Sequence, residues 1–295
     1  MLCHVLRCFC VLAALSACTA APQREARSQP LPTLIPTQPV VVAPTTLVQP
    51  TVPAPSDSGW SLTAPGVETR QLRFMHAETL AQVNVVRLDP QQLRFAVGYR
   101  PDAPTDLDSW LNDSAALVAI NGGFFDAANR TVALIISDGV AFGQSYEGRG
   151  GMFTARTDGS VSLRYLGSQP YDSAEVLETA LQGWPMLVHS GGAIYDYEDG
   201  VRDRRSVISY DRSGRVLLIA TPTASFTLAE MARWLVSADL DLDAALNLDG
   251  GSSTALALND SGAARVESFL PLPIVLLVFP RGSSIVGSRL GDCAA

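Results

Sequence analysis

Ala119-Ile120-Asn121-Gly122-Gly123-Phe124-Phe125-Asp126 and Leu246-Asn247-Leu248-Asp249-Gly250-Gly251-Ser252-Ser253 share one pattern. Each is an apolar, strand-like run that ends in a polar residue and a pair of glycines. Paired glycines let the chain turn sharply and bring its backbone close to a ligand. A polar residue at a strand end, just before such a turn, is well placed for chemistry. Two tight turns without function would look the same, so the pattern matters only if both loops line one cleft, with the Arg205 guanidinium reaching into it.

Around these stretches the chain reads as strands. Val83 to Arg87 and Leu93 to Tyr99 flank the turn signal Asp89-Pro90. Asp-Gly or Ser-Gly punctuates three pairs of β-rich runs, at Asp138-Gly139, Asp158-Gly159 and Ser213-Gly214, a strong hairpin cue. Ala115 to Ile120, Ala244 to Leu248, Thr254 to Leu258 and Leu272 to Phe279 are further apolar runs. Two helices are expected. Thr105 to Asp113 is one, with Thr105 as its cap. Thr227 to Ala238 is the clearer one, with Thr227 and Glu230 as a capping box and Leu228, Met231, Ala232 and Leu235 on one face. The expected fold is α+β: a strand-dominated single domain with few covering helices.

Composition narrows the chemistry. The chain has 295 residues and a formal charge of −8, which argues against nucleic acid as a partner. Every one of its 21 basic residues is arginine. That excludes a P-loop lysine and a Schiff-base lysine. The 3 histidines, His4, His76 and His189, are too few for a multi-histidine zinc site. No G-x-S-x-G elbow is present, since Gly143-Gln144-Ser145-Tyr146-Glu147 lacks the last glycine. G-x-G-x-x-G after a strand and H-E-x-x-H are also missing.

Residues 1–17 read as an export signal, with Arg7 followed by an apolar run. Leu15-Ser16-Ala17-Cys18 resembles the lipobox of bacterial lipoproteins. That resemblance implies a lipid on Cys18 and an exported protein anchored to the membrane of the cell envelope. Residues 18–58 are rich in Pro, Thr, Gln and Val and read as a disordered tether, leaving 59–295 as the folded domain. Among 5 cysteines only Cys293 would remain free, so no disulfide framework is expected.

Five segments in order resemble the phosphodiester glycosidase family: Asn121 to Asp126, Gly183-Trp184-Pro185-Met186-Leu187, Arg205 to Asp211, Phe226 to Ala232 and Ala245 to Ser253. Ser209 and Phe226 stand where the family usually or often has glycine. The resemblance implies an exported hydrolase that cleaves a sugar from a glycosyl-1-phosphodiester, in envelope or exopolysaccharide metabolism. Such a reaction needs a cation or N–H cluster for phosphate, a carboxyl group, and polar groups for sugar hydroxyls. Asp249, Arg205 and Asn121 are the catalytic candidates, Arg205 because guanidinium matches phosphate oxygens. Gly122, Gly123, Gly250 and Gly251 are candidate backbone donors. Phe125, Asp126, Gly183, Pro185, Ser252 and Ser253 complete the candidate substrate site. Asp249 could instead cap its own turn, and Arg205 could pair with Asp203 or Asp211. No cofactor is required, although aspartate and carbonyl oxygens would suit Ca2+ or Mg2+ near Asp249. A non-catalytic surface module that binds glycans or phosphate polymers is the alternative on the same fold.

Overall fold

A computed structural model describes residues 55–259 and 261–283. The leader, Cys18, most of the tether and Cys293 lie outside the described residues. The fold begins earlier than the composition suggests. β1 (Ser56–Asp57) already pairs with the sheet, and Asp57 meets the buried Arg70 at 2.6 Å.

Strands then follow one another along the chain. β2 (Ser61–Ala64), β3 (Val67–His76) and β4 (Thr79–Leu88) are antiparallel neighbours, and β5 (Leu93–Tyr99) follows the Asp89-Pro90 turn. Helix α1 (Leu107–Ser114) leads into β6 (Val118–Asn121). Next come β7 (Ile135–Ser137) and β8 (Val140–Phe142), β9 (Gly151–Ala155) and β10 (Val161–Tyr165), then β11 (Thr179–Gly183), β12 (Met186–His189) and β13 (Gly192–Ala193). The hairpin β14 (Ser206–Asp211) and β15 (Val216–Ala220) precedes α2 (Leu228–Ser237) and β16 (Leu242–Asn247). β17 (Leu256–Leu258), β18 (Ser261–Val266) and β19 (Ile274–Pro280) close the described fold.

These strands form three antiparallel sheets. The largest runs β1-β3-β4-β15-β14-β16-β12-β13, with β2 also on β3. The second runs β10-β9-β11-β7-β8 and the third β18-β17-β6-β19-β5. Among the described residues two short α-helices stand against many strands, so the domain is strand-dominated, and the α+β label fits it only roughly.

Period-two alternation sorts the side chains. Ile120, Phe153, Leu181, Ile208, Leu246 and Leu276 belong to one core fed by all three sheets. Their strand neighbours face outward onto the helices: Val207, Leu217 and Ile219 pack with Met231 and Leu235 of α2, and Ala119 and Leu277 with Trp110 of α1. Strands buried on both faces are why the sequence reads as continuous apolar runs. Each large side chain so buried contributes roughly 1.5–3 kcal/mol before conformational entropy is subtracted.

Local signals explain the ends of elements. Asp138 and Gly139 both have positive φ, 50° and 76°, as a two-residue hairpin loop demands. Thr227 and Glu230 form the reciprocal capping box of α2. The cap of α1 is Asp106, which accepts from the Ser109 N–H at 2.8 Å. Thr105, the expected cap, is drawn instead into backbone pairing with Leu272.

Candidate active site

Four strand termini meet at one rim of the central core: the ends of β6, β11 and β16, and the start of β14. Their contacts are polar and close. Asn121, 1% exposed, donates from Nδ2 to the Asp249 carbonyl at 2.7 Å. Its Oδ1 accepts from the Ser206 hydroxyl at 2.7 Å and from the Ala255 N–H at 3.0 Å. The Asp249 N–H returns a bond to the Gly122 carbonyl at 3.1 Å. The two glycine loops are therefore directly joined.

β11 is wedged into the same rim through its glycine. A Cβ on Gly183 would lie 2.3 Å from the Asn247 carbonyl oxygen, and one on Gly123 would lie 2.7 Å from that of Gln182. Asn247 donates from Nδ2 to the Trp184 carbonyl at 2.9 Å, and its N–H donates to the Pro185 carbonyl. Its Oδ1 is buried and has no protein partner among the described residues.

Asp249 sits on the turn that follows. Burial pushes its carboxyl pKa up, and nearby Asp203 adds to that, against the Ser253 hydroxyl and the Gly250 N–H, which favour the charged form. The Gly250 N–H contact is 2.9 Å. Beyond it the chain makes a 3-10 turn over Gly251–Ser253, with Gly251 at φ 59°. A carboxyl whose pKa is raised holds its proton to higher pH than a free one, which suits it to the role of proton donor.

Several candidates have other duties than the sequence implies. The Asn121 amide is fully used and buried, so this residue positions the loops and does not face a ligand. The Gly122, Gly250 and Gly251 N–H groups donate to Ile274 O, the Asp249 carboxylate and Arg204 O. These glycines serve close backbone approach, not an anion nest. Asp126 accepts from the Ala128 and Arg130 N–H groups at 2.8 and 2.9 Å and so closes its own turn. Phe125 packs on the central core. Ser253 is buried at Asp249, whereas Ser252 is exposed and its carbonyl accepts from Phe269.

Arg205 does not reach into the cleft as an open cation. Its Nε donates to Phe226 O at 3.0 Å and its Nη2 to Val201 O at 2.7 Å. Burial draws its pKa down, opposed by Asp203, Asp199 and Tyr195. The cause is parity. Ser206 faces Asn121, so the preceding side chain is directed to the other face, where Phe226 packs with α2. Arg204 is likewise buried, with Nη2 on the Thr254 carbonyl at 2.8 Å and also on that of Glu267.

Sequence reasoning missed three contributors. Gln182, 0% exposed, accepts from the Tyr146 N–H at 2.9 Å and donates to Ser145 Oγ at 2.8 Å, which fixes the loop before β9 at this rim. Tyr146 lies within electrostatic reach of both Asp249 and Arg149. Asp203 raises the Asp249 carboxyl and lies beside both buried arginines. Among the described residues no group of three or more His, Cys, Asp or Glu side chains could hold a metal ion.

A family model described as phosphodiester glycosidase matches residues 114–279, which contain both glycine loops and every residue of this rim. The chain belongs to the phosphodiester glycosidase family. Over 171 residues it is 28% identical to the mouse N-acetylglucosamine-1-phosphodiester alpha-N-acetylglucosaminidase, covering 50% of this chain and 32% of that protein. It thus spans about a third of the length of this curated relative. Among solved structures, it resembles the zebrafish N-acetylglucosamine-1-phosphodiester alpha-N-acetylglucosaminidase catalytic domain auto-inhibited by pro-peptide. The TM-score is 0.59 at 19% identity, over 77% of this chain and 88% of that one. A hypothetical protein from Synechocystis gives a TM-score of 0.54 at 16% identity, over 78% of this chain and 64% of that one. At such identities the two likenesses speak for the fold alone.

Proposed function

We propose that this chain is a hydrolase that cleaves the bond between a sugar's anomeric carbon and the oxygen of a phosphodiester. Water adds to the anomeric carbon, the carbon–oxygen bond breaks, and a free sugar and a phosphomonoester leave. The observation that carries this reading is Asp249. It is a buried carboxyl with a raised pKa, on the loop that Asn121 ties to the first glycine pair. Protonated Asp249 donates to the departing phosphate oxygen, and the Asp203 carboxylate supplies negative charge near the cationic transition state. The half-exposed Trp184 ring, whose carbonyl the buried Asn247 amide holds, offers an apolar face for the sugar. The lipobox-like Cys18 and the Pro-rich stretch after it support an exported, membrane-anchored enzyme that acts on envelope or exopolysaccharide material.

Purified protein should release free sugar from a glycosyl-1-phosphodiester, and Asp249→Asn should abolish release while its circular dichroism stays unchanged. Normal turnover in that variant would remove Asp249 from the chemistry. Saturable glycan binding without turnover across a broad panel would favour a binding module.

A further inference from the structure

Arg205 is tied to backbone carbonyls. Arg204, whose Nε and Nη1 have no partner among the described residues, is buried with its Nη2 on the Thr254 and Glu267 carbonyls. The rim therefore still needs an exposed cation that a phosphate oxygen can reach. Arg149 meets that need. It is exposed, and it makes neither an ion pair nor a hydrogen bond among the described residues. Its guanidinium lies over the Tyr146 ring, 5.3 Å from the centroid. The Tyr146 hydroxyl also has no protein partner among the described residues, and this phenol lies within electrostatic reach of Asp249.

The loop that carries both groups is held firmly. Gln182 grips it at the Tyr146 N–H and the Ser145 hydroxyl. Gly150 seats it against the end of β11, where a Cβ would lie 2.5 Å from the Gly183 carbonyl oxygen. Gly183 in turn crowds the Asn247 carbonyl, two residues before Asp249. A chain of rigid backbone contacts therefore sets the position of Tyr146 and Arg149 relative to the carboxyl. A guanidinium stacked on an aromatic face keeps its outer N–H fork free and oriented, as recognition of a tetrahedral oxyanion requires.

We infer that Arg149, with the Tyr146 hydroxyl, forms the anion-binding subsite of this cleft and takes the non-bridging oxygens of a phosphate ester. This deepens the hydrolase reading and rests on it for the identity of the whole substrate, though not for the binding of the anion.

The test separates the two. Calorimetric titration of the full chain with inorganic phosphate and with glucose 1-phosphate should give saturable binding. Arg149→Ala should weaken it by about 10- to 100-fold, the range for a charge-assisted contact. Arg149→Lys should recover part of that loss, and Tyr146→Phe should cost less than Arg149→Ala. On a phosphodiester substrate, Arg149→Ala should raise KM far more than it lowers kcat, because the phosphate is charged before and during bond breaking. Loss of anion binding in Arg149→Ala, in a protein that turns over no phosphodiester, would sustain the subsite and defeat the hydrolase. Unchanged anion affinity and unchanged KM in an active Arg149→Ala variant would overturn the subsite and leave the hydrolase standing. Wild-type protein that binds neither anion would also overturn the subsite.

Discussion

The Asn121 side-chain amide donates to the Asp249 backbone carbonyl at 2.7 Å, across 128 positions of sequence. This bond, with the return bond from the Asp249 N–H to the Gly122 carbonyl, makes one cleft rim from two distant turns. Asn121→Ala should therefore act on architecture first. It strands the buried Ser206 hydroxyl and the Ala255 N–H, each of which loses its acceptor. Buried unsatisfied groups cost roughly 1–3 kcal/mol each, so a loss on the order of 3 kcal/mol in urea denaturation is expected, with activity falling alongside. A variant with wild-type stability but no activity would instead give Asn121 a direct part in the chemistry.

Asp249→Asn should separate stability from function in the opposite sense. Burial raises the Asp249 pKa, so the native state holds this proton more tightly than the unfolded chain does. Its contribution to stability is then most favourable below the ordinary carboxylate range and falls as pH rises through the ordinary and then the raised value. Asparagine keeps an acceptor for the Gly250 N–H and removes that loss. The Tm of the variant relative to wild type should be higher at pH 8 than at pH 4. The opposite trend would mean that the carboxylate, not the acid, is the form the fold favours.

Much of this architecture could be read because its signals are local. Asp138-Gly139 dictates its hairpin through φ alone, and Thr227 with Glu230 specifies the start of α2 within four residues. What failed to be legible was relational. The type of residue at 205 suggested a phosphate anchor, but its direction depends on Ser206 facing Asn121, which only the assembled sheets decide. Tyr146 stood inside a segment that looked like a failed nucleophile elbow, and Arg149 two residues beyond it. The nearness of Tyr146 to Asp249 depends on Gln182, 36 positions beyond Tyr146, whose polar character inside an apolar strand was the available clue. Thr105 lost the helix cap to Asp106 because pairing with Leu272 claimed its backbone first.

The start of α2 should be the acid-sensitive part of the fold. Burial alone would raise the Glu230 pKa. Arg202, the Thr227 N–H and His76 overcome that and hold it down at about 2, against an ordinary 4.5. A depressed carboxylate stabilises the fold above the ordinary value, and that stability is lost as pH falls from there toward about 2. Glu230→Gln should lower the Tm at pH 7 and flatten its fall between pH 5 and pH 3, in thermal melts followed at the helical signal. Parallel curves for variant and wild type would show that acid unfolding begins elsewhere. Thr227→Ala, which removes the other half of the capping box, should cost about 1 kcal/mol.

Gly183 offers the sharpest test of how tightly the rim is built. A Cβ there would lie 2.3 Å from the Asn247 carbonyl oxygen, and that atom is backbone in a strand paired on both sides. Relief must come from moving β11 away from β16, because no side chain can rotate out of the way. Overpacking of this kind typically costs about 1–3 kcal/mol. The same displacement would shift Gln182 and, through it, the loop that carries Tyr146 and Arg149. Gly183→Ala should therefore lower phosphate affinity and turnover by more than its stability loss explains. Gly192→Ala is the control, since its Cβ would meet nothing nearer than the His189 carbonyl oxygen at 3.8 Å, and it should leave stability and activity near wild type. If both variants prove equally benign, the contact between β11 and β16 is looser than the backbone approach requires, and the loop that bears Arg149 is not held through Gly183.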